Sequence, residues 1–569
     1  MRQLLVRLIP LTAGALLLAA CDPRAPRDGA ADGDTGGTLV ISVPTDPGML
    51  LPPFVVTIQG KEVSDLLYDR LVEIGPELGT FGDAGFLPRL AERWTWGADS
   101  LSVAFHLDPR ARWHDGRPVR AEDVRFTFAL ATDTTAGASN SSQLSAIDSV
   151  STPDSLTAVF WFARRYPEQF FDATFHTPIL PAHQLRDLPR ATLMSSEAAR
   201  NPVGSGPYRI ARYLPGQVME LVADSAYYRG RAKLDRVLIS ISPDPTTAAT
   251  RLFAGEADVF EALRPDQMAE MAKHEELRVA VVPGMGYTFL QLNLRDPANP
   301  SRPHPLFGER ELRRALTRAV NRPALVQNVW DSLASVGLGP FTRLQASADT
   351  TIAQLPYDVA AAAHTLDSLG WRDTNADGVR ERGGVPLAFR ILVPSSSMVR
   401  QRAAVVLQEQ LAQVGARVAV ERLDMNATMT QVSQRRFDTF VGTWITDPGP
   451  AGVRETWGGA SARRKGGLNF GAYESAVFDA AVDSGLAARD LAERRRMFRR
   501  AYETIVQDAP AIWLFEPKSV MGVHRRYSAP PLRAWGWWTD IPEWSVPADR
   551  RIDRDRAVAQ AAAPAAATP

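Results

Sequence analysis

Residues 101–107 alternate, with Leu101, Val103, Phe105 and Leu107 on one side and Ser102, Ala104 and His106 on the other. That period of two predicts a half-buried strand. Residues 108–112 break the pattern. His114-Asp115-Gly116-Arg117-Pro118 then predicts a turn, because Gly tolerates positive φ and Pro fixes φ. Ala121-Glu122-Asp123 predicts a helix start, with acidic side chains facing the positive end of the helix dipole. Further strands are predicted at 38–43, 237–241, 287–293, 387–393, 418–423, 437–441 and 509–514. Apolar residues recurring at three and four positions predict helices over 61–74, 246–255, 311–330, 359–370, 398–414 and 491–508. Alternation of the two element types predicts an α/β class.

A chain of 569 residues is too long for one core. Lysine plus arginine and aspartate plus glutamate number 64 each, so no net field draws in nucleic acid or an anionic membrane. Hydrophobic residues make up 45 % and charged residues 22 %, as in a soluble globular protein. The N-terminus stands apart. Arg2 and Arg7 precede an apolar run over 8–20, which has the length of a signal peptide. The run ends Leu18-Ala19-Ala20-Cys21, which resembles a bacterial lipobox and makes Cys21 the expected lipidation site and membrane anchor. Cys21 is the chain's single cysteine, in keeping with an exported protein that has no disulfide to mispair. Asp22 resembles the signal that keeps lipoproteins in the inner membrane. Residues 21–37, rich in Gly, Asp and Pro, read as the lipidated cysteine and a flexible tether, and 549–569 as a disordered tail.

Candidate chemistry is sparse. His114, Asp115, Glu122 and Asp123 lack the converging ligands of a metal site. Asn201 to Tyr208 is glycine-rich but has neither a Gly-Lys-Ser/Thr nor a G-x-S-x-G pattern, so a tight crossover turn is expected. Asp373-Thr374-Asn375-Ala376-Asp377-Gly378 matches the front of a calcium loop, but Gly384 stands where the bidentate acid belongs, and a turn is expected. Neither a metal nor a cofactor is expected.

Five motifs carry a resemblance. They are Tyr68-Asp69-Arg70-Leu71-Val72, the run from Leu87 to Trp94, W-H-D-G-R-P-V-R-A-E-D-V-R-F-T from Trp113, V-G-S-G-P-Y from Val203, and R-R-A-L-T-R-A-V-N-R-P-A-L-V from Arg313. Their order over about 38–545 resembles the family 5 extracellular solute-binding proteins, the peptide- and nickel-type binding components of bacterial ABC importers. The resemblance implies a two-lobed periplasmic binding protein fold, large and type II-like, with its lobes joined by a hinge. Lobe I would be 38–285 plus 511–548, with an extra subdomain at about 55–200, and lobe II would be 286–510. It implies a monomer that binds rather than catalyses, closes on a di- or oligopeptide, and delivers it to a membrane permease driven by separate ATPase subunits.

In peptide-binding members a W-x-x-D supplies the carboxylate that pairs with the ligand's ammonium, and Trp444-Ile445-Thr446-Asp447 keeps that spacing. Asp447 therefore inherits the candidate role, with Trp444 and Thr446 beside it and Val43 and Thr45 facing it from the other lobe. Pro448 follows at once, where family peptide binders carry more residues. That departure leaves room for a metal chelate, haem, an oligosaccharide or an opine as ligand. Trp444, Trp457, Trp535, Trp537 and Trp538 are candidates to line an aromatic cleft. A secreted hydrolase is disfavoured by the absence of H-E-x-x-H and G-x-S-x-G and by only eight histidines. An assembly chaperone would differ in binding unfolded chains without closing on a small ligand.

Overall fold

The computed structural model describes residues 35–133, 135–138 and 143–555. The expected signal peptide, Cys21 and most of the tether lie outside them. The backbone of the molecule is a twelve-stranded sheet that falls into two halves sharing one long strand, Ala511–His524. In the first half Thr38–Val43 lies parallel to Arg236–Ile241, and Leu277–Pro283 runs antiparallel to the far end of the shared strand. In the second half Gly286–Leu292 pairs with Thr439–Ile445 on one side and with the near end of the shared strand on the other. Strands Ala388–Pro394 and Arg417–Leu423 complete that half in parallel register.

The chain crosses between the halves twice, once between Pro283 and Gly286 and once near Phe515 to Lys518. The second crossing falls inside a strand. The expected boundary at 510/511 is therefore early, because residues 511–516 still pair with the second lobe. The two crossings touch at Gly284, where any Cβ would sit 2.3 Å from the carbonyl oxygen of Pro517. Only glycine lets them pass so closely.

The central strand Gly286–Leu292 is covered on both faces and buried along its whole length, whereas the edge strand Arg417–Leu423 mixes exposed and buried positions. Tyr287 and Phe289 point into one core with Trp457 and Trp513, while Leu290 and Leu292 point into the other with Leu312 and Leu407. The first lobe carries a separate four-stranded sheet within 91–162, built on Ala91–Trp96 and Ser102–Leu107.

Three further segments differ from expectation. The helix expected over 61–74 is Ile58–Leu67, and Val72–Ile74 pairs instead as a strand with Phe86–Pro88. The helix stops there because its last carbonyl, Leu67 O, accepts from Gly206 N at 2.8 Å, and Asp69 N turns to the Ser205 hydroxyl at 3.2 Å. Leu71 and Ile74 are buried all the same, so the apolar spacing was genuine and the element type was not. The helix expected over 311–330 is two, Arg310–Arg318 and Arg322–Trp330. Pro323 forces a new start, and Asn321 caps it by accepting from Ala324 N at 3.0 Å. The tail expected from 549 is docked as far as Asp555, whose side chain is fully buried and accepts from Thr38 N at 2.8 Å and from Arg526. A buried charge network holds it, and composition does not encode that.

The two strongest sequence motifs lock together. His114 Nδ1 accepts from Gly204 N at 3.1 Å, which leaves Nε2 protonated to donate to Gly206 O at 2.9 Å. Gly204 lies so close to the end of the first helix that a Cβ would be 1.8 Å from Leu67 O. Asp123 closes the other side of the motif, accepting from Arg120 N, Trp113 Nε1 and Ala182 N. Both motifs are structural clasps of the first lobe.

Candidate functional site

Strand Thr439–Ile445 ends between the lobes and hands the chain to a loop fixed from below. Thr446 donates twice to Met285 O, from its amide at 2.7 Å and its hydroxyl at 3.1 Å. Gln345 Nε2 donates to Asp447 O at 3.1 Å and to Gly449 O at 3.0 Å. Asp447 Oδ1 accepts from Gly449 N at 2.9 Å, an Asx turn that aims the carboxyl away from its own strand. Gly449 rests on the ring of Phe171, a first-lobe residue, so the lobes are shut on each other at this point.

Asp447 and Ile445 form the second-lobe wall of a cavity of about 330 Å³. The first-lobe wall comes from 52–65 and 175–178, including Val55, Ile58, Lys61, Asp65 and Phe175. Helix Ile58–Leu67 is set there by Thr57, which caps it by accepting from Gly60 N at 3.0 Å and donates its own hydroxyl to Pro47 O at 3.1 Å. The size is at the low end for small-molecule sites.

The charges on the two walls differ. Asp65 is shared by Arg70 at 2.7 Å, Lys61 at 3.0 Å and the indole of Trp538 at 3.0 Å, so two cations lean on one carboxylate. The Lys61 ammonium also lies 5.8 Å from the Phe175 ring centre and 5.9 Å from that of Trp535. Burial holds its pKa below the ordinary lysine value, with Arg70 adding to the effect and Asp65 opposing it. Across the cavity, burial pushes the Asp447 carboxyl above its ordinary range. Nearby Asp172 pushes the same way, while His176 and the Gly449 amide pull back. The cavity thus has an anionic wall and a cationic wall with apolar surface between them. Both charges are partly withdrawn from water and gain from an opposite charge brought in by a ligand.

The other expected site residues are placed differently. Trp444 packs flat on Phe470, ring centres 5.6 Å apart, and Thr446 spends its hydroxyl on Met285, so neither lines the cavity. Val43 is fully buried core, and Thr45 is exposed outside the cavity wall. Trp457 is core, donating to Tyr287 OH at 2.9 Å. Trp537 and Trp538 are buried with their indoles on Glu261 and Asp65, which leaves Trp535 as the tryptophan beside the wall residues Phe175 and Lys61. Sequence reasoning missed Lys61 and Asp65, which read as ordinary polar positions on an amphipathic helix. In the Asp373 to Gly378 loop one carboxyl oxygen of Asp373 accepts from Gly378 N and one of Asp377 from Val379 N, and no group of three potential metal ligands occurs among the described residues.

The sequence model of the bacterial extracellular solute-binding proteins, family 5 (middle region), matches residues 85–463. This chain belongs to that family. The oligopeptide-binding protein AppA of Bacillus subtilis is 26 % identical over 522 residues, covering 90 % of this chain and 92 % of its own. The probable D,D-dipeptide-binding periplasmic protein DdpA of Escherichia coli is 24 % identical, covering 86 % and 90 %. Among solved structures, AppA with a nonapeptide superposes with a TM-score of 0.77 at 24 % identity, over 90 % of this chain and 99 % of that one. NikZ of Campylobacter jejuni in complex with Ni(L-His) superposes with a TM-score of 0.77 at 23 % identity, over 89 % and 99 %. The two-lobed α/β fold of this family 5 protein is that of the periplasmic binding proteins.

Proposed function

We propose that this family 5 protein captures short peptides between its lobes and delivers them to the permease of an ABC importer, with Asp447 holding the peptide's ammonium. The observation that carries the reading is the half-buried Asp447 carboxyl on one wall of a cavity whose other wall presents Lys61. A zwitterion satisfies both walls, its ammonium on Asp447 and its carboxylate toward Lys61, and the apolar surface between them takes side chains of varied shape. The names of relatives agree: AppA is an oligopeptide-binding protein, and several Brucella relatives are putative ABC transporter peptide-binding proteins. Attachment at Cys21 and retention by Asp22 belong to the same proposal, as do the hinge through Gly284 and a monomeric state.

The test is a thermal-shift screen of residues 22–569 against di- to pentapeptides. A peptide at 100 times its Kd adds roughly 2.7 kcal/mol to stability. A shift that disappears with the N-acetylated peptide and with Asp447→Ala supports the reading. No shift with any peptide refutes it. A second reading, a small chelate or an opine, is favoured by Pro448 directly after Asp447 and by fold relatives solved with Ni(L-His) and with mannopinic acid. It predicts shifts with those compounds that Asp447→Ala leaves in place.

A further inference from the structure

Away from the cavity, the lobes meet through a charged pair. Arg494 lies in the first turn of helix Leu491–Asp508, whose next turns bury Phe498 and Tyr502 in the second-lobe core. Its guanidinium reaches out of that lobe and donates through Nη2 to a carboxyl oxygen of Glu168, which precedes first-lobe helix Gln169–Thr174. Both side chains are almost wholly excluded from water, at 2 % and 5 % exposure. The guanidinium carbon sits 5.7 Å from the ring centre of Phe81, again from the first lobe, and 5.5 Å from that of Phe498. Its Nη1 has no hydrogen-bond partner. One turn beyond Glu168, Phe171 meets Gly449, so the pair and the cavity rim close on the same short helix.

We propose that Glu168 and Arg494 form a latch between the lobes that is made when they close and gates closure by requiring both charges to arrive together. Each residue belongs to a different rigid body, so opening returns both to water. Closing takes both out of water, which is tolerable only if each finds the other. Either charge alone becomes an unpaired buried ion and opposes closure. With both charges removed the obstacle disappears, because apolar replacement of a buried ion pair is often neutral or better. The latch lies outside the cavity wall, and its action does not depend on which ligand binds.

The test uses cross-linking across the cleft, whose rate tracks the closed fraction even when that fraction is small. Cys21 is the only cysteine, so the body of 22–569 has none. Val56 and Ile445, exposed at 82 % and 69 %, face each other across the cavity from the two lobes. They become cysteines for a short bismaleimide, and all measurements are made without ligand. Glu168→Leu and Arg494→Met should each slow cross-linking roughly a hundredfold, as expected for burying one unpaired charge. The double substitution should return the rate to that of the parent or above, a coupling that only interacting residues show. All three variants should melt as the parent does, since the open form solvates both groups. Single variants that cross-link at the parental rate, or a double variant as slow as the singles, overturn the latch. So do single variants that fail to fold, because the pair would then be a fixed part of the core.

Discussion

Asp258 offers the sharpest test of how the first lobe holds its chain ends. Its carboxylate is fully buried and accepts from Val40 N at 2.9 Å, Tyr527 OH at 2.9 Å, Arg526 Nε at 3.1 Å and the Arg554 guanidinium. Arg526 continues to Asp555, which accepts from Thr38 N, so one network ties the opening strand Thr38–Val43 to residues 524–555. Asp258→Asn keeps the shape and removes the charge. It places an NH₂ donor against groups that themselves donate. Two charge-assisted hydrogen bonds are lost at roughly 1.5–3 kcal/mol each, in line with the roughly 3–5 kcal/mol for removing one partner of a buried pair. The urea midpoint of the first lobe should fall by on the order of 1 M with the slope unchanged. Hydrogen exchange at the amides of 38–43 should accelerate together. Ending the chain at 548, which removes Arg554 and Asp555, should also destabilise. Combined with Asp258→Asn it should cost less than the sum, because both changes act on one network. A loss below about 1 kcal/mol, or strict additivity, would refute the account. High salt should change little, since these groups are shielded from ions.

Burial holds the His114 imidazole below the ordinary histidine value of 6.5, so below that pH the unfolded chain takes up a proton before the folded one does. Stability from this residue is complete above 6.5 and declines as pH drops toward the folded value, and His114→Gln should remove that part of the pH dependence in parallel urea titrations. Gly204→Ala must displace the first helix, because its Cβ would lie 1.8 Å from Leu67 O. A loss of on the order of 3 kcal/mol, the upper end for overpacking, is expected, and a calorimetric melt unchanged from the parent would count against the clasp. Peptide affinity should weaken on acidification at a higher pH than an ordinary carboxylate would require, because ammonium binding needs Asp447 ionised and burial raises its pKa. Calorimetric titrations with one peptide at several pH values check the sign: affinity flat down to pH ~4 contradicts the role given to Asp447. Lys61→Met should weaken binding of a free peptide more than that of its C-terminal amide, read from the ratio of the two Kd values.

What the sequence determined by itself were the elements whose cause is local. The strands Thr38–Val43 and Ser102–Leu107 and the helices Ala121–Thr132 and Leu491–Asp508 follow from periodicity, caps and turn residues a few positions apart. The family motifs were legible for the same reason, since each packs a tight local geometry into a short run. Asp447 could be singled out because its W-x-x-D spacing sits at the end of a readable strand. Tertiary structure decided everything whose partner lies far along the chain. The first helix stops at Leu67 because a loop more than 130 residues later takes its carbonyl. The tail is held to Asp555 by Asp258 and Arg526. Lys61 is a wall of the site because helix Ile58–Leu67 meets a loop from the other lobe, and Glu168 finds Arg494 326 positions away. Propensity and capping act within a turn or two of chain. Desolvation and charge pairing act through space, and only the assembled lobes set those distances.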